Sequence, residues 1–238
     1  MSQPNILHNF KSKNFDSRKF KIQFIILHYT ETKNLEKAIN LLTSQNRKVS
    51  CHFVIDTNGQ IYNLVSESKR AWHAGESSWK GLQDMNSRSI GIEIVNSGEK
   101  NLQKYPKVQI NKLIKLIHFL EKKFKIPFYN ILGHSDIAPH RKIDPGKHFP
   151  WKELHKKQIG LWAEINQIKD RELSGKEYDE FLQNLYGIGY QLPKHKNLKI
   201  NNLIINAFHR HFLPTLVGRK PNSTSLIKSK ELLKLNKT

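Results

Sequence analysis

The chain has 238 residues, of which 37% are hydrophobic and 10% aromatic, and this composition excludes an intrinsically disordered protein. A formal net charge of +20 favours anionic partners such as nucleic acid, anionic lipid or an acidic cell-wall polymer, unless it reflects only a general preference for lysine. The single cysteine, Cys51, excludes an intramolecular disulfide and a cysteine-based zinc cluster.

Membrane and targeting signals are the next features that the sequence bears on. It has no run of about 18 consecutive apolar residues, so we predict no transmembrane segment. The first residues include Lys11, Lys13 and Arg18 and lack the apolar run of a secretory signal, which predicts a cytoplasmic protein. If the native chain carries a signal that this sequence lacks, the periplasm is the expected location.

The first half of the chain begins with a strand, a helix and a hairpin. The apolar, β-branched residues 22–27 predict a buried strand, and the helical spacing of apolar residues over 35–42 predicts a helix. Two short apolar runs within 53–64 flank Asn58-Gly59. Because Asn-Gly is the strongest short hairpin signal, we expect a hairpin there.

The same alternation continues to about residue 162. Residues 90–95 alternate like a strand, and 106–124 carry an amphipathic helical pattern that opens at a proline. Residues 128–132 predict another strand, and 150–162 predict a helix. Strands that alternate with helices predict an α/β fold with a mixed central β-sheet flanked by helices.

A change in composition after about residue 165 predicts a second unit. Helical patterns over 174–187, 198–212 and 223–235 are separated by glycines and prolines. We predict one domain at 1–168 and a small C-terminal three-helix domain at 169–238. The alternative is that these helices pack on the first domain as an extension of it.

Two histidines occupy equivalent positions at strand ends. His28 closes the strand that starts at residue 22, and His134 follows the strand that ends near residue 132. Either histidine alone is more often structural, but two in the same setting favour a site. With Asp144, ten positions after His134, they make a common ligand set for catalytic zinc, three protein ligands with a fourth position open. Imidazole ligands favour zinc over magnesium or calcium.

Glu93 lies inside the apolar alternation of residues 91–95. A buried carboxylate without a partner is costly, so Glu93 needs a function, a partner or solvent. An equally weighted alternative is that the Glu93 side chain points outward, on the solvent face of a half-buried strand. Lys142 lies two residues before Asp144, and by itself it is one lysine among many.

Five separated sequence blocks carry a family resemblance. They are Ile26–Thr30, Ser50–Ile55, Ala71–Gly75, Ser89–Ile94 and the run from Gly133 to Trp151. In this order they resemble the zinc-dependent N-acetylmuramoyl-L-alanine amidases of the type-2 class, and most of all its AmiD-type members. The resemblance covers about residues 20–165.

The resemblance implies a reaction and a role for each matching residue. His28, His134 and Asp144 match the ligands of one zinc ion per chain. Glu93 matches the catalytic carboxylate, and Lys142 matches the residue that stabilises the oxyanion. The implied reaction is hydrolysis of the amide bond between N-acetylmuramic acid, including its anhydro form, and L-alanine.

The resemblance also implies a substrate groove around residues 72–88. We expect Trp72 and His73 to line it, and Trp79 either to stack on a sugar ring or to pack under the loop. Some related amidases have a tyrosine near the zinc where this chain has Cys51. The AmiD-like members use the glutamate instead, and we interpret Cys51 as a small buried residue that fills space.

The C-terminal part resembles the three-helix peptidoglycan-binding module that follows such amidases. The resemblance lies in Phe181–Gln183, Gly189-Tyr190 and Ala207–Phe212. The glutamine usual after the phenylalanine is His209 here. A wall-binding module favours intact peptidoglycan as the partner, whereas a chain without a signal favours soluble muropeptides or anhydro-muropeptides.

Two other functions compete with the enzyme. A non-catalytic peptidoglycan sensor on the same fold is the first, and the presence of all three ligands and Glu93 argues against it. A nucleic-acid-binding protein is the second, suggested by the net charge. Because the sequence shows neither a basic helix with base-reading residues nor an aromatic-basic RNA-binding motif, we expect no specific nucleic acid as a partner.

Overall fold

The computed structural model describes residues 3–101, 103–166, 169–195 and 197–236. Within these ranges the chain forms ten β-strands and eight α-helices. The strands are β1 (Ile6–Leu7), β2 (Phe15–Ser17), β3 (Phe24–Tyr29), β4 (Phe53–Ile55), β5 (Ile61–Asn63), β6 (Lys69–Ala71), β7 (Ser78–Trp79), β8 (Leu82–Gln83), β9 (Ser89–Ile94) and β10 (Ile131–Gly133). The helices are α1 (Leu35–Thr43), α2 (Met85–Arg88), α3 (Lys107–Phe124), α4 (His134–Ile137), α5 (Trp151–His155), α6 (Gly175–Ile188), α7 (Leu198–Phe212) and α8 (Ser223–Leu235).

A six-stranded mixed sheet forms the centre of the molecule, in the order β1-β5-β4-β9-β3-β10. The β4–β5 pair is antiparallel, and the other neighbours in this sheet are parallel. All six side chains of β3 are buried. Parallel strands that are covered on both faces have continuous apolar sequences, which explains why apolar residues dominate β3 without alternating with polar ones. The predicted mixed α/β fold is confirmed.

The register of the parallel strands determines which side chains meet at the carboxyl edge of the sheet. His28 of β3 pairs with Glu93 of β9, and Leu27 pairs with Gly133 at the end of β10. His134 follows Gly133 directly and begins α4. Three residues that are far apart in sequence, His28, Glu93 and His134, therefore lie at one edge.

The hairpin and the long helix predicted from the sequence are confirmed. Ile55 pairs with Ile61 across the β4–β5 turn, where Gly59 has a φ of +85°. Helix α3 follows Pro106 and ends at Phe124, before Lys125, which takes a left-handed conformation with a φ of +54°. One face of α3 is buried against the sheet, in keeping with its amphipathic pattern.

The bounds of two predicted elements differ from the structure by more than two residues. The helix predicted over 150–162 is wrong in length, since α5 ends at His155. Gln158 and Gly160 have positive φ values of +60° and +76°, which a continuing α-helix excludes. The strand predicted over 128–132 begins later, because Phe128–Asn130 form a 3₁₀ turn.

The three C-terminal helices form where the sequence predicts them, as α6, α7 and α8. Helix α6 is capped by Ser174, whose side chain accepts a hydrogen bond from the backbone N–H of Glu177. Phe181 and Phe208 of these helices belong to the same hydrophobic cluster as the central sheet. The predicted domain boundary at 168 falls on residues 167–168, which lie outside the described residues, and the division into two domains stays a prediction.

Candidate active site and metal centre

The side chains of His28, His134 and Asp144 converge in the interior of the protein. The Nδ1 atoms of the two histidines are 2.9 Å apart, and the Asp144 Oδ2 is 3.0 Å from the His28 Nδ1 and 3.1 Å from the His134 Nδ1. All three residues are buried. The structure thus brings together the residues that the sequence predicts as metal ligands.

The donor chemistry of this cluster fits a divalent metal. Burial, together with a smaller contribution from the charge of His134, lowers the pKa of His28 to about 4. Burial acts to raise the pKa of Asp144, but His134 and His28 outweigh it and hold that pKa well below the ordinary value. At neutral pH the cluster therefore presents an anionic carboxylate and a neutral imidazole, in the ligand set that suits zinc.

Glu93 lines the same cleft, beside the cluster, and not the solvent face of the sheet. Its Oε2 is buried and has no hydrogen-bond partner among the described residues. Burial raises its pKa well above the ordinary value, with a further contribution from the negative charge of Asp144, while Lys142 acts in the opposite direction. An unpaired carboxylate of this kind is typical of a functional site.

The cleft has a volume of about 520 Å³. Lys142 lines it together with the cluster and Glu93. The loop that carries Lys142 is held by a 3.0 Å hydrogen bond from its backbone N–H to the carbonyl of Ala138. One cavity therefore contains all five residues to which the sequence assigns metal binding or catalysis.

The three predicted substrate-binding residues have different positions. Trp72 is partly buried in the wall of the cleft, and its Nε1 donates to Asp16 at 3.2 Å. His73 is buried behind His28, with its Nδ1 3.0 Å from the His28 Nε2. Trp79 is 3% exposed and packs edge-on against Tyr190 at 4.9 Å, away from the residues that line the cleft. The sugar-stacking prediction for Trp79 is therefore corrected, and the alternative of a packing role applies.

The sequence interpretation missed Arg141 and Asn86. Arg141 lines the cleft and donates to the carbonyls of Ala74 and Glu76. Asn86 accepts hydrogen bonds from two consecutive backbone N–H groups close to the cluster. Arg141 lies in the Gly133–Trp151 block that carries the family resemblance, and this block could have indicated it. No sequence motif or spacing indicates a role for Asn86.

Cys51 lies in the interior, as the sequence analysis expects. It has no exposed surface, and its Sγ donates to the carbonyl of Phe53 at 3.2 Å. Burial raises the pKa of its thiol well above the ordinary value. A protonated, inaccessible thiol is consistent with a residue that fills space.

The fold and the site define a class of hydrolytic α/β enzymes, in which a cluster of two histidines and one aspartate lies beside a glutamate at the edge of a mixed sheet. The family model of N-acetylmuramoyl-L-alanine amidase, Amidase_2, matches residues 18–147, more than half of the chain. The protein belongs to this amidase family.

Curated relatives support the same assignment. The N-acetylmuramoyl-L-alanine amidase AmiD of Escherichia coli K12 is 31% identical over 232 residues, covering 90% of this chain and 83% of that protein. The 1,6-anhydro-N-acetylmuramyl-L-alanine amidase AmpD of Haemophilus influenzae is 42% identical over 106 residues, covering 44% of this chain and 56% of that protein. Because the match to AmiD covers 90% of this chain, it extends beyond residue 147, where the family match ends, into the C-terminal helical part.

Solved structures show the same fold. E. coli AmiD, in complex with the substrate anhydro-N-acetylmuramic acid-L-Ala-D-γ-Glu-L-Lys, superposes with a TM-score of 0.82 at 28% identity and covers 92% of both chains. AmpDh3 of Pseudomonas aeruginosa, in complex with an anhydromuramic pentapeptide, has a TM-score of 0.77 at 28% identity, covering 90% of this chain and 92% of that one.

Proposed function

We propose that this amidase hydrolyses the amide bond between N-acetylmuramic acid, including its anhydro form, and L-alanine in peptidoglycan or muropeptides. The observation that carries the proposal is the convergence of His28, His134 and Asp144 in the cleft that also holds Glu93. Relatives of known structure bind anhydromuramyl peptides, which supports this class of substrate.

We propose further that His28, His134 and Asp144 hold one zinc ion per chain, through the three atoms that already lie about 3 Å apart. Three protein ligands leave a fourth position for water or substrate, as in other catalytic zinc sites. When bound, zinc lowers the pKa of a coordinated water from 15.7 to about 7 and polarises a carbonyl oxygen.

Glu93 is proposed as the general base and acid. A carboxyl group whose pKa is raised towards neutral pH can both accept and donate a proton efficiently, and burial raises the pKa of Glu93 in this direction. The carboxylate takes a proton from the attacking water and then passes a proton to the departing amine of L-alanine. Its unpaired Oε2 leaves an acceptor free for that water.

Lys142 is proposed as the residue that stabilises the oxyanion. Lys142 lines the same cleft, and its positive charge acts on Glu93. Negative charge develops on the carbonyl oxygen as the water attacks, and a fixed cation in a water-poor cleft stabilises that charge. Trp72, in the wall of the cleft, is proposed to contact the substrate.

The C-terminal helices at 169–238 are proposed to bind the cell wall. A full-length Glu93→Gln protein tests this by co-sedimentation with insoluble peptidoglycan, because it lacks the proton acceptor and leaves the wall intact. Binding that persists in an excess of soluble muropeptide, which occupies the catalytic cleft, supports the wall-binding role, and a protein that stays in the supernatant contradicts it.

The location of the chain stays a prediction. None of the helices among the described residues is long and apolar enough to cross a membrane. The cytoplasm is proposed, and fractionation of cells that express the native gene distinguishes it from the periplasm.

The test of the proposed reaction is an assay of purified protein on anhydro-muropeptides and on intact peptidoglycan. We expect free stem peptides with a new L-alanine amino terminus, detected by mass spectrometry. A chelator should stop their release, and added zinc should restore it. A protein that binds muropeptides but releases no peptide with zinc present would instead be a sensor.

A further inference from the structure

One dipeptide, His73-Ala74, contacts the Nε2 atoms of both histidines of the proposed metal site. The His134 Nε2 lies 3.2 Å from the carbonyl oxygen of Ala74. A carbonyl only accepts hydrogen bonds, so the Nε2 of His134 is the donor in this contact. The Arg141 guanidinium lies 3.5 Å from the same nitrogen, but it donates to the Ala74 carbonyl at a shorter distance, and we assign the Nε2 proton from the closer contact with the carbonyl. With the proton on Nε2, the Nδ1 of a neutral His134 has its lone pair towards the centre of the cluster, where a cation would be shared with the Asp144 Oδ2 that lies 3.1 Å away.

The same conclusion follows for His28 through a chain of hydrogen bonds that ends in a carbonyl. The Ser89 hydroxyl donates to the Met85 carbonyl at 2.5 Å, which uses its only proton. Ser89 therefore accepts from the His73 Nε2 at 3.3 Å. The Nδ1 of His73 is then an acceptor, and it takes the proton of the His28 Nε2 at 3.0 Å. His28 also points an Nδ1 lone pair into the cluster.

The dipeptide is itself fixed by a buried side chain. The Oδ1 of Asn86 accepts hydrogen bonds from the backbone N–H of His73 at 2.9 Å and from that of Ala74 at 2.6 Å. Gly91 of β9 leaves room for the imidazole of His73, since a Cβ at this position would overlap that ring. Arg141 donates a further hydrogen bond to the Ala74 carbonyl.

From this geometry, and resting on the proposed zinc function of the cluster, we propose that His73 and Ala74 form the outer layer of the metal centre and that Asn86 positions them. His73 is in this view a positioning residue: it fixes the tautomer and the ring orientation of His28. This gives a second role, distinct from substrate binding, to the residue at the centre of the Ala71–Gly75 block. Outer partners of this kind typically change metal affinity by about 10–100-fold when they are removed.

Two substitutions separate positioning from packing. His73→Asn places an amide oxygen near the position of the His73 Nδ1 and removes the ring, so it keeps the acceptor. His73→Phe keeps a ring in the space left by Gly91 and removes the acceptor. A positioning role predicts that Asn preserves the site, whereas a packing role predicts that Phe does.

The experiment measures the zinc dissociation constant of the full-length protein by competition with a chromophoric chelator, and the visible spectrum of the Co²⁺-substituted protein. We expect His73→Asn to stay close to the wild-type protein. We expect His73→Phe to bind zinc about 10–100-fold more weakly, with an altered Co²⁺ spectrum. Wild-type affinity in His73→Phe, or equal loss in both variants, would overturn the proposal.

A third substitution, at a different position, covers the case in which neither His73 variant folds. Asn86→Ala removes the acceptor that holds both backbone N–H groups and leaves His73 in place. It should weaken zinc binding, and unchanged affinity would refute the positioning role. If the wild-type protein itself binds no zinc, the proposed function fails, a result distinct from any difference between the variants.

Discussion

The phenol of Tyr190 donates a 2.7 Å hydrogen bond to the Oδ1 of Asp136, which joins the segment after α6 to the helix that begins at His134. The other carboxylate oxygen of Asp136 accepts from the backbone N–H of Gly133 at 2.7 Å and lies 2.8 Å from the Nδ1 of His211 in α7. Asp136, Tyr190 and His211 are all buried. The C-terminal helices thus help to hold the turn that presents a proposed metal ligand.

This relationship predicts the effect of Tyr190→Phe. The substitution leaves a buried carboxylate oxygen without that donor, so we expect a loss of about 1–3 kcal/mol in the free energy of unfolding. Urea unfolding at neutral pH measures the loss. Tyr186→Phe is the matched control, because Tyr186 lies on α6 and is 63% exposed. Equal stability of the two variants would show that the hydrogen bond to Asp136 contributes nothing.

Glu93→Gln is expected to lower kcat by about 10²–10⁴ and to leave the zinc content unchanged. The amide has nearly the shape of the carboxylate but cannot take a proton from water. Turnover of an anhydro-muropeptide and metal analysis of the same sample measure the two effects. The control is Glu36→Gln at an exposed position of α1. Near-normal kcat in Glu93→Gln would show that another group transfers the proton.

Lys142→Ala is expected to slow turnover by about 10²–10³, the usual effect of removing one preorganised partner of a developing oxyanion. The loss should appear mainly in kcat, because the charge that Lys142 stabilises develops in the transition state. Lys115→Ala, on the exposed side of α3, provides the comparison. A change confined to KM would point to substrate binding instead.

The free energy of unfolding of the metal-free protein is expected to decrease as the pH is lowered, because of His52. Its Nδ1 lies 2.9 Å from the backbone N–H of Gly91, and burial, assisted by the charge of Arg18, lowers its pKa to about 3. In the unfolded chain the pKa of this histidine is about 6.5. Between about pH 3 and pH 6.5 the unfolded chain therefore binds more protons than the folded chain. The contribution of His52 to the free energy of unfolding should fall by up to about 1.4 kcal/mol for each pH unit below about 6.

Urea unfolding in the presence of a chelator, at pH 7, 6 and 5, tests this pH dependence. The variant His52→Gln should show a shallower decline than the wild-type protein, although it is less stable at pH 7. His148→Gln, at an exposed position, should decline as steeply as the wild-type protein. The same slope in His52→Gln and His148→Gln would contradict the assignment to His52.

The local patterns of the sequence were sufficient to predict the longer strands and helices, but not the strands of two or three residues β1, β2, β6, β7 and β8. The apolar run of β3, the Asn-Gly turn of the hairpin and the amphipathic α3 each reflect the burial of one short segment. Helix α5 was predicted too long because the left-handed residues Gln158 and Gly160, and not the apolar spacing, end the regular structure. The four-residue helix at His134 gave no periodic signal at all.

The proposed metal ligands could be predicted for a related reason. His28 is near the end of β3 and His134 directly follows β10. The parallel pairing of these two strands brings their carboxyl ends to one edge of the sheet, so the positions of the histidines at strand ends predict that they meet there. The network behind them could not be predicted, because each hydrogen bond joins distant segments. His73 contacts His28 from 45 residues away, and Tyr190 contacts Asp136 from 54. Trp79 was misassigned for the same reason, since its partner Tyr190 lies far along the chain.

Zinc K-edge X-ray absorption of the full-length protein, before and after the substitutions His134→Ala and Asp144→Ala, tests the central claim most directly. We expect one zinc per wild-type chain, with two imidazole nitrogens and a carboxylate oxygen at about 2.0–2.2 Å. Each substitution should remove that ligand from the spectrum or abolish zinc binding. A wild-type protein without stoichiometric zinc, or one whose zinc environment is unchanged by both substitutions, would contradict the proposed metal centre.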